Sequence, residues 1–188
     1  EKKYDTATFY SISNCQEGLT RVTLGNFLIK RVVYEIQEEL PNIKNFGTLS
    51  PIPGFRDWFT TLDEGVIQNI LGKIPYSTVS FLRSSSLKVG DGRIVSNKKA
   101  IIKLVAHYLM NEKNKKDLPI NDVCRFHLGN GAIIEDIVIN ANVSEVGFNR
   151  SFGVMVNYLY ELKNIEKNHE DYVNNKNIII SDKLKKLI

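Results

Sequence analysis

The sequence predicts a mixed α/β fold, an α+β arrangement of helices on a mixed sheet. Three observations carry this. Residues 8–50 run strand, glycine-bearing loop, amphipathic helix, strand, a unit that pairs two parallel strands through a right-handed crossover. Residues 96–112 repeat apolar side chains at helical spacing. Residues 124–162 return to the β-branched and aromatic content of strands.

Taken in order, Thr8–Ser13 reads as the first strand. A polar loop follows from Asn14 through Gly18 to Gly25. Asn26–Leu40 predicts a helix with Leu28, Ile29, Val32, Val33, Ile36 and Leu40 on one face. Asn26 can cap its start and Pro41 stops it. Asn45–Ser50 predicts the second strand, ended by Pro51 and Pro53 because proline cannot continue a paired strand. Gly54–Leu82 is helical in pattern but interrupted by Gly65, Gly72 and Pro75, and Ser84–Gly92 reads as a loop. Ser96 is expected to cap a helix through Glu112, with Ile101, Ile102, Leu104, Val105, Tyr108 and Leu109 apolar. Asn111–Asp117 forms a charged turn.

Cys124–Leu128 and Ala132–Asn140 predict two strands joined by a hairpin at Asn130-Gly131, since both residues tolerate positive φ. Val154–Leu162 reads as a further strand. Asn164–Asn177 is expected to be a polar, Asn-rich tail before a short helix within Ser181–Leu187. With no internal repeat and no domain-sized linker, residues 1–188 are expected to form one domain.

Composition removes several classes. The hydrophobic fraction of 43% and charged fraction of 24% are those of a globular chain rather than a disordered or collagen-like one. No apolar run is long enough for a membrane span. A net charge of +4 suits an anionic ligand but is too small to argue for nucleic acid. Cys15 and Cys124 are far apart without ligand spacing, as expected of reduced intracellular thiols, although one disulfide would also satisfy the count. No His/Cys/Asp/Glu cluster has metal-ligand spacing, so no metal is expected. The chain opens at Glu1 rather than Met, as a fragment or a processed form would.

Four places could carry chemistry. Gly18–Gly25 leads into a helix start, where free backbone N–H groups and the positive dipole end suit a phosphate, with Lys30 and Arg31 adding charge. A plain strand-to-helix turn has the same pattern, and glycine loops alone are a weak signal. Ser50 ends a strand beside a stiff Pro51-Ile52-Pro53 turn, where parallel sheets bind ligands, or it simply terminates that strand. It lacks the Gly-x-Ser-x-Gly of a nucleophile elbow. His127 could serve as acid or base, or be a buried hydrogen-bonded histidine. His107 shares a helix face with Lys99 and Lys103 and is expected to be solvated, and His169 sits in the polar tail. Tyr158 and Tyr160 share one sheet face by alternation, either orienting a catalytic group or filling the core.

Together these segments resemble the malonyl-CoA decarboxylase family. The matching runs are Phe9–Ser13, Leu24–Val33, Leu49-Ser50-Pro51-Ile52-Pro53-Gly54-Phe55, Phe126-His127-Leu128-Gly129-Asn130-Gly131-Ala132, Met155–Tyr160 and Ser181 onward. They occur in the family's order, while Thr61–Val95 matches poorly. The resemblance implies an acetyltransferase-like (GNAT) catalytic domain. It also implies that the family's first strands and N-terminal helical bundle, which mediates oligomer contacts, are not in these residues. It implies Ser50 and His127 as catalytic and Ser11 and Tyr160 as supporting groups. The CoA pyrophosphate loop then maps to Thr20, Arg21, Val22, Thr23, Leu24, Gly25 and Asn26.

One departure is Thr23, where the family carries an acidic residue. The implied reaction is malonyl-CoA to acetyl-CoA and CO2, within fatty-acid metabolism. It needs neither cofactor nor metal, because the thioester is itself the electron sink. The implied partner is the small molecule malonyl-CoA, with no nucleic acid and a homo-oligomer for the whole protein. The implied setting is intracellular, without selecting mitochondrion, peroxisome or cytosol. A CoA-dependent acyltransferase, a Ser50–His127 hydrolase and a non-catalytic CoA-binding remnant stand as alternatives.

Overall fold

The computed structural model of the chain describes residues 4–10 and 25–188, with the side chains of 25–28 outside the description. The N-terminal unit has the expected order, β1 (Thr6–Phe9), α1 (Gly25–Glu39) and β2 (Asn45–Pro51), but β1 starts two residues early and excludes Tyr10, and β2 includes Pro51. β1 and β2 pair in parallel, with Thr6 opposite Asn45 and Phe9 opposite Thr48. Parallel neighbours need a crossover, and α1 lies in it. Ile29 and Val33, one turn apart, are buried on its inner face. Leu40 lies past the helix end and is 55% exposed. α1 already includes Gly25, so Asn26 is a helical residue rather than the cap. The Ser11–Ser13 end of the expected first strand lies outside the described residues.

The interrupted middle resolves into α2 (Phe55–Thr61), α3 (Glu64–Leu71), two 3₁₀ turns (Tyr76–Thr78 and Ser80–Arg83), α4 (Gly92–Ser96) and α5 (Lys98–Met110). Ser96 does not cap α5. It closes the short α4, where its hydroxyl donates to the Gly92 carbonyl at 3.1 Å. α5 is the central core helix, with Ile101, Leu104, Val105 and Leu109 fully buried.

Two further expectations fail for physical reasons. Residues 124–128 are not a strand but part of α6 (Asp122–Gly129). Asn121 caps this helix by accepting the Cys124 N–H at 2.8 Å, and Asp122 suits the dipole of the first turn. The buried positions Cys124, His127 and Leu128 fall at helical spacing. Asn130-Gly131 is therefore a helix stop rather than a hairpin. Gly131 has φ 81°, its N–H goes to the Leu128 carbonyl at 2.9 Å, and the Ala132 N–H goes to the His127 carbonyl at 3.1 Å. That is the Schellman pattern of hydrogen bonds. The second failure is the tail: Ile165–Asn175 is a helix, α8, with Ile165, Asn168 and Tyr172 on its buried side.

β3 (Ile133–Val138), α7 (Glu145–Ser151), β4 (Met155–Leu159) and α9 (Asp182–Lys185), capped by Ser181, complete the described elements. The sheet order is β1-β2-β4-β3, with β4 antiparallel to both neighbours. Phe46, Thr48 and Ser50 of β2 and Val156 and Tyr158 of β4 point to the buried face. α5 and α6 pack on β3, and α7 packs on β2. The alternate residues Gly47, Leu49, Asn157 and Leu159 are half-buried on the opposite face. Among the described residues, no helix is long and apolar enough to cross a membrane.

Candidate active site

Ser50 is held near the end of β2 by the anchored turn at Pro53 and Gly54. The carbonyl of Pro53 accepts two hydrogen bonds, from the Tyr108 hydroxyl at 3.0 Å and from Asn121 Nδ2 at 2.9 Å. The same Asn121 side chain caps α6. One residue thus joins the turn after Ser50 to the helix that carries His127. Gly54 completes the turn with φ 80°, and a Cβ there would stand 2.8 Å from the Tyr108 hydroxyl oxygen.

The other end of α6 is held by α8. His169 Nδ1 lies 2.6 Å from the Gly129 carbonyl, and a ring nitrogen at that position must donate to it. Asn168 Nδ2 donates to the Gly131 carbonyl at 3.3 Å. α8 also reaches α1, because Lys30 Nζ lies 2.9 Å from Glu166.

These elements bring Ser50, His127 and Tyr160 together. Ser50 Oγ is 2.9 Å from His127 Nε2, and His127 Nδ1 is 2.7 Å from the Tyr160 hydroxyl. The Tyr158 ring stacks on the imidazole with centroids 4.3 Å apart and planes 22° apart. His127 is 5% exposed, and burial pushes its pKa down from 6.5 to about 3, so the ring is neutral at pH 7. Burial also raises the pKa of Tyr160, so its hydroxyl keeps its proton.

The hydrogen-bond geometry assigns the protons of this chain. Ser50 Oγ donates to Thr48 Oγ1 at 3.0 Å. A serine hydroxyl has one proton, so Ser50 must accept from His127, and Nε2 carries the imidazole hydrogen. Nδ1 is then bare and accepts from Tyr160. The chain runs Tyr160 to His127 to Ser50 to Thr48. It opens on a pocket of about 320 Å³, lined by Thr48, Ser50 and His127 with Phe9, Pro51 and Phe126.

The other sequence candidates fall differently. Ser11 and the loop residues Thr20, Arg21, Val22, Thr23 and Leu24 lie outside the described residues, while Gly25 and Asn26 open α1. Lys30 and Arg31 both face carboxylates, Glu166 at 2.9 Å and Glu35 at 2.8 Å. His107 is not simply solvated: it is half-buried and stacks on Trp58. Cys124 is a free, buried thiol whose pKa burial pushes up to about 12, which leaves it unreactive at neutral pH. Among the described residues, no group of three or more His, Cys, Asp or Glu side chains could hold a metal ion. Thr48 and Asn121 escaped the sequence analysis. Thr48 was accessible through its spacing of two from Ser50 on one strand face.

Fold and site together define a mixed α/β domain whose buried Ser–His–Tyr chain opens into a small pocket. The family model for the malonyl-CoA decarboxylase C-terminal domain matches residues 1–188. The mitochondrial malonyl-CoA decarboxylase of Anser anser anser is 37% identical over 201 residues, covering 97% of this chain and 40% of that protein. The crystal structure of malonyl-CoA decarboxylase from Rhodopseudomonas palustris superposes with a TM-score of 0.85 at 38% identity, covering 97% of this chain and 42% of that one. The enzyme from Agrobacterium vitis gives a TM-score of 0.83 at 37% identity, covering 97% of this chain and 45% of that one. The chain belongs to the malonyl-CoA decarboxylase family. It spans about 40% of the length of the Anser relative.

Proposed function

We propose that this chain is the catalytic part of an enzyme that converts malonyl-CoA to acetyl-CoA and CO2, controlling malonyl-CoA in fatty-acid metabolism. The observation that carries this is the setting of His127, buried between Ser50 and Tyr160 with no carboxylate on its ring. A Ser–His hydrolase needs an imidazole nitrogen that accepts the serine proton. Here Nδ1 lies 2.7 Å from a tyrosine hydroxyl rather than a carboxylate, and the tautomer inferred above makes Nε2, 2.9 Å from Ser50 Oγ, the donor. Ser50 is therefore not activated as a nucleophile. A neutral N–H donor instead suits an oxygen that gains negative charge during the reaction.

Decarboxylation breaks the bond between the α-carbon and the carboxylate. Its electron pair moves onto the thioester to give an enolate, CO2 leaves, and a proton from solvent returns to the α-carbon. His127 Nε2–H is assigned to the thioester oxygen, and Ser50 Oγ to the malonyl group. Tyr160 holds the imidazole in the required tautomer at 2.7 Å. Ser11 is assigned as a supporting group, and Thr20–Asn26 as the pyrophosphate loop. The reaction requires no metal and no further cofactor. The whole protein is proposed to act as a homo-oligomer.

A non-catalytic CoA-binding role is the second possibility, motivated by Thr23 in place of the family's acidic residue. Product analysis separates the possibilities. The protein, with any residues its gene encodes upstream, is given malonyl-CoA. Acetyl-CoA and CO2 in equal amounts are expected. Free CoA would mean a hydrolase. CoA binding without any product would mean a remnant.

A further inference from the structure

We propose that Thr48 is a substrate-binding residue that forms, with Ser50, a two-hydroxyl fork for the carboxylate of the malonyl group. It rests on the decarboxylase assignment above. Thr48 and Ser50 are two residues apart on the buried face of β2, with oxygens 3.0 Å apart. They are 3% and 6% exposed, and both line the pocket.

Counting protons singles out Thr48. Tyr160, His127, Ser50 and Thr48 carry one mobile hydrogen each, and three hydrogen bonds join them. One hydrogen is left over at an end of the chain. Ser50 donates to Thr48, so the surplus sits on Thr48 and not on the fully buried Tyr160. Thr48 Oγ1 makes no other hydrogen bond among the described residues, so its proton is available to a ligand in the pocket.

An ionised carboxylate only accepts hydrogen bonds, and it presents two oxygens. When it enters, Ser50 turns its proton from Thr48 to one oxygen, as the His127 Nε2–H turns from Ser50 to the thioester oxygen. Thr48 donates to the other oxygen. No Lys or Arg is among the described residues lining the pocket, and Phe9, Pro51 and Phe126 wall it. A guanidinium would stabilise the carboxylate more than the departing CO2, which raises the barrier to decarboxylation. Two neutral hydroxyls in an apolar wall orient the carboxylate without that penalty.

The test uses Thr48→Val, which keeps the shape and removes the hydroxyl, with Thr48→Ser as the rescuing variant and Thr48→Ala as a second deletion. The readouts are KM for malonyl-CoA and the inhibition constant of acetyl-CoA, which lacks the carboxylate. Losing a hydrogen bond to a charged group predicts a KM increase of about tenfold or more in Thr48→Val and Thr48→Ala. The inhibition constant of acetyl-CoA is expected to stay within about twofold, since the groups that contact acetyl-CoA are unaltered. Thr48→Ser is expected to match the wild type. An unchanged KM in a folded deletion variant overturns the proposal, as does an equal rise of both constants. A wild-type protein that releases no acetyl-CoA removes the decarboxylase assignment, and the role of Thr48 with it.

Discussion

At the scale of single residues, the site depends on a histidine that stays neutral. Burial holds the pKa of His127 near 3, against 6.5 for a free histidine. In the unfolded chain the ring takes up a proton as pH falls through about 6.5. The folded chain does not do so until about pH 3. The unfolded state therefore binds the extra proton first, and stability falls as pH drops across that window. Two results are expected. Urea unfolding at pH 7 and pH 5 will show lower stability at pH 5. The ¹⁵N signals of His127 will show a neutral ring protonated at Nε2 at both values. A ring that titrates near pH 6.5, or one protonated at Nδ1, would remove this order of protons.

Little of this was legible from residue spacing. Ser50, His127 and Tyr160 were identified through their motif runs, because 77 and 33 residues separate the hydrogen-bonded partners. Thr48 has no motif of its own. Its spacing of two from Ser50 places it on the same strand face, and the hydrogen-bond geometry supplies its role.

Elements explain why those residues meet. Asn121 fixes the start of α6 to the Pro53 turn, and α8 fixes its end through His169 and Asn168. The sequence signalled positive φ at Gly131 correctly, but the same signal serves a hairpin and a helix stop. Burial at i, i+3 and i+4 decided for the helix. The helical spacing of Ile165, Asn168 and Tyr172 was also present, but masked by a polar composition in which one of the three buried residues is an asparagine. By contrast, β2 and α1 were readable from strand content and apolar periodicity, although Pro51, expected to end β2, is its last paired residue, opposite Met155.

Gly131 is the most exacting position at this scale. Its φ is 81°, and a Cβ would overlap the Ile165 carbonyl of α8. Gly131→Ala is expected to cost about 2–4 kcal/mol, from backbone strain plus displaced packing. Chemical denaturation measures this directly. A loss under about 0.5 kcal/mol, as for an ordinary surface change, would mean that α8 does not clamp the end of α6.

At the scale of the whole molecule, the sheet, α6 and α8 form one support for one short chain of hydrogen bonds. β2 presents Ser50 and Thr48, the residue after β4 presents Tyr160, and α6 places His127 between them. α8 further joins α6 to α1, the helix that follows the proposed pyrophosphate loop, through Glu166 and Lys30. Recognition of the acyl group and of the CoA phosphates would thereby share one framework.

The most direct measurement is the rate of acetyl-CoA formation from malonyl-CoA by wild-type protein and by a folded His127→Ala variant. Removal of the donor to the developing enolate predicts a loss of at least about 10²-fold. A His127→Ala protein that makes acetyl-CoA at the wild-type rate would contradict the role assigned to His127.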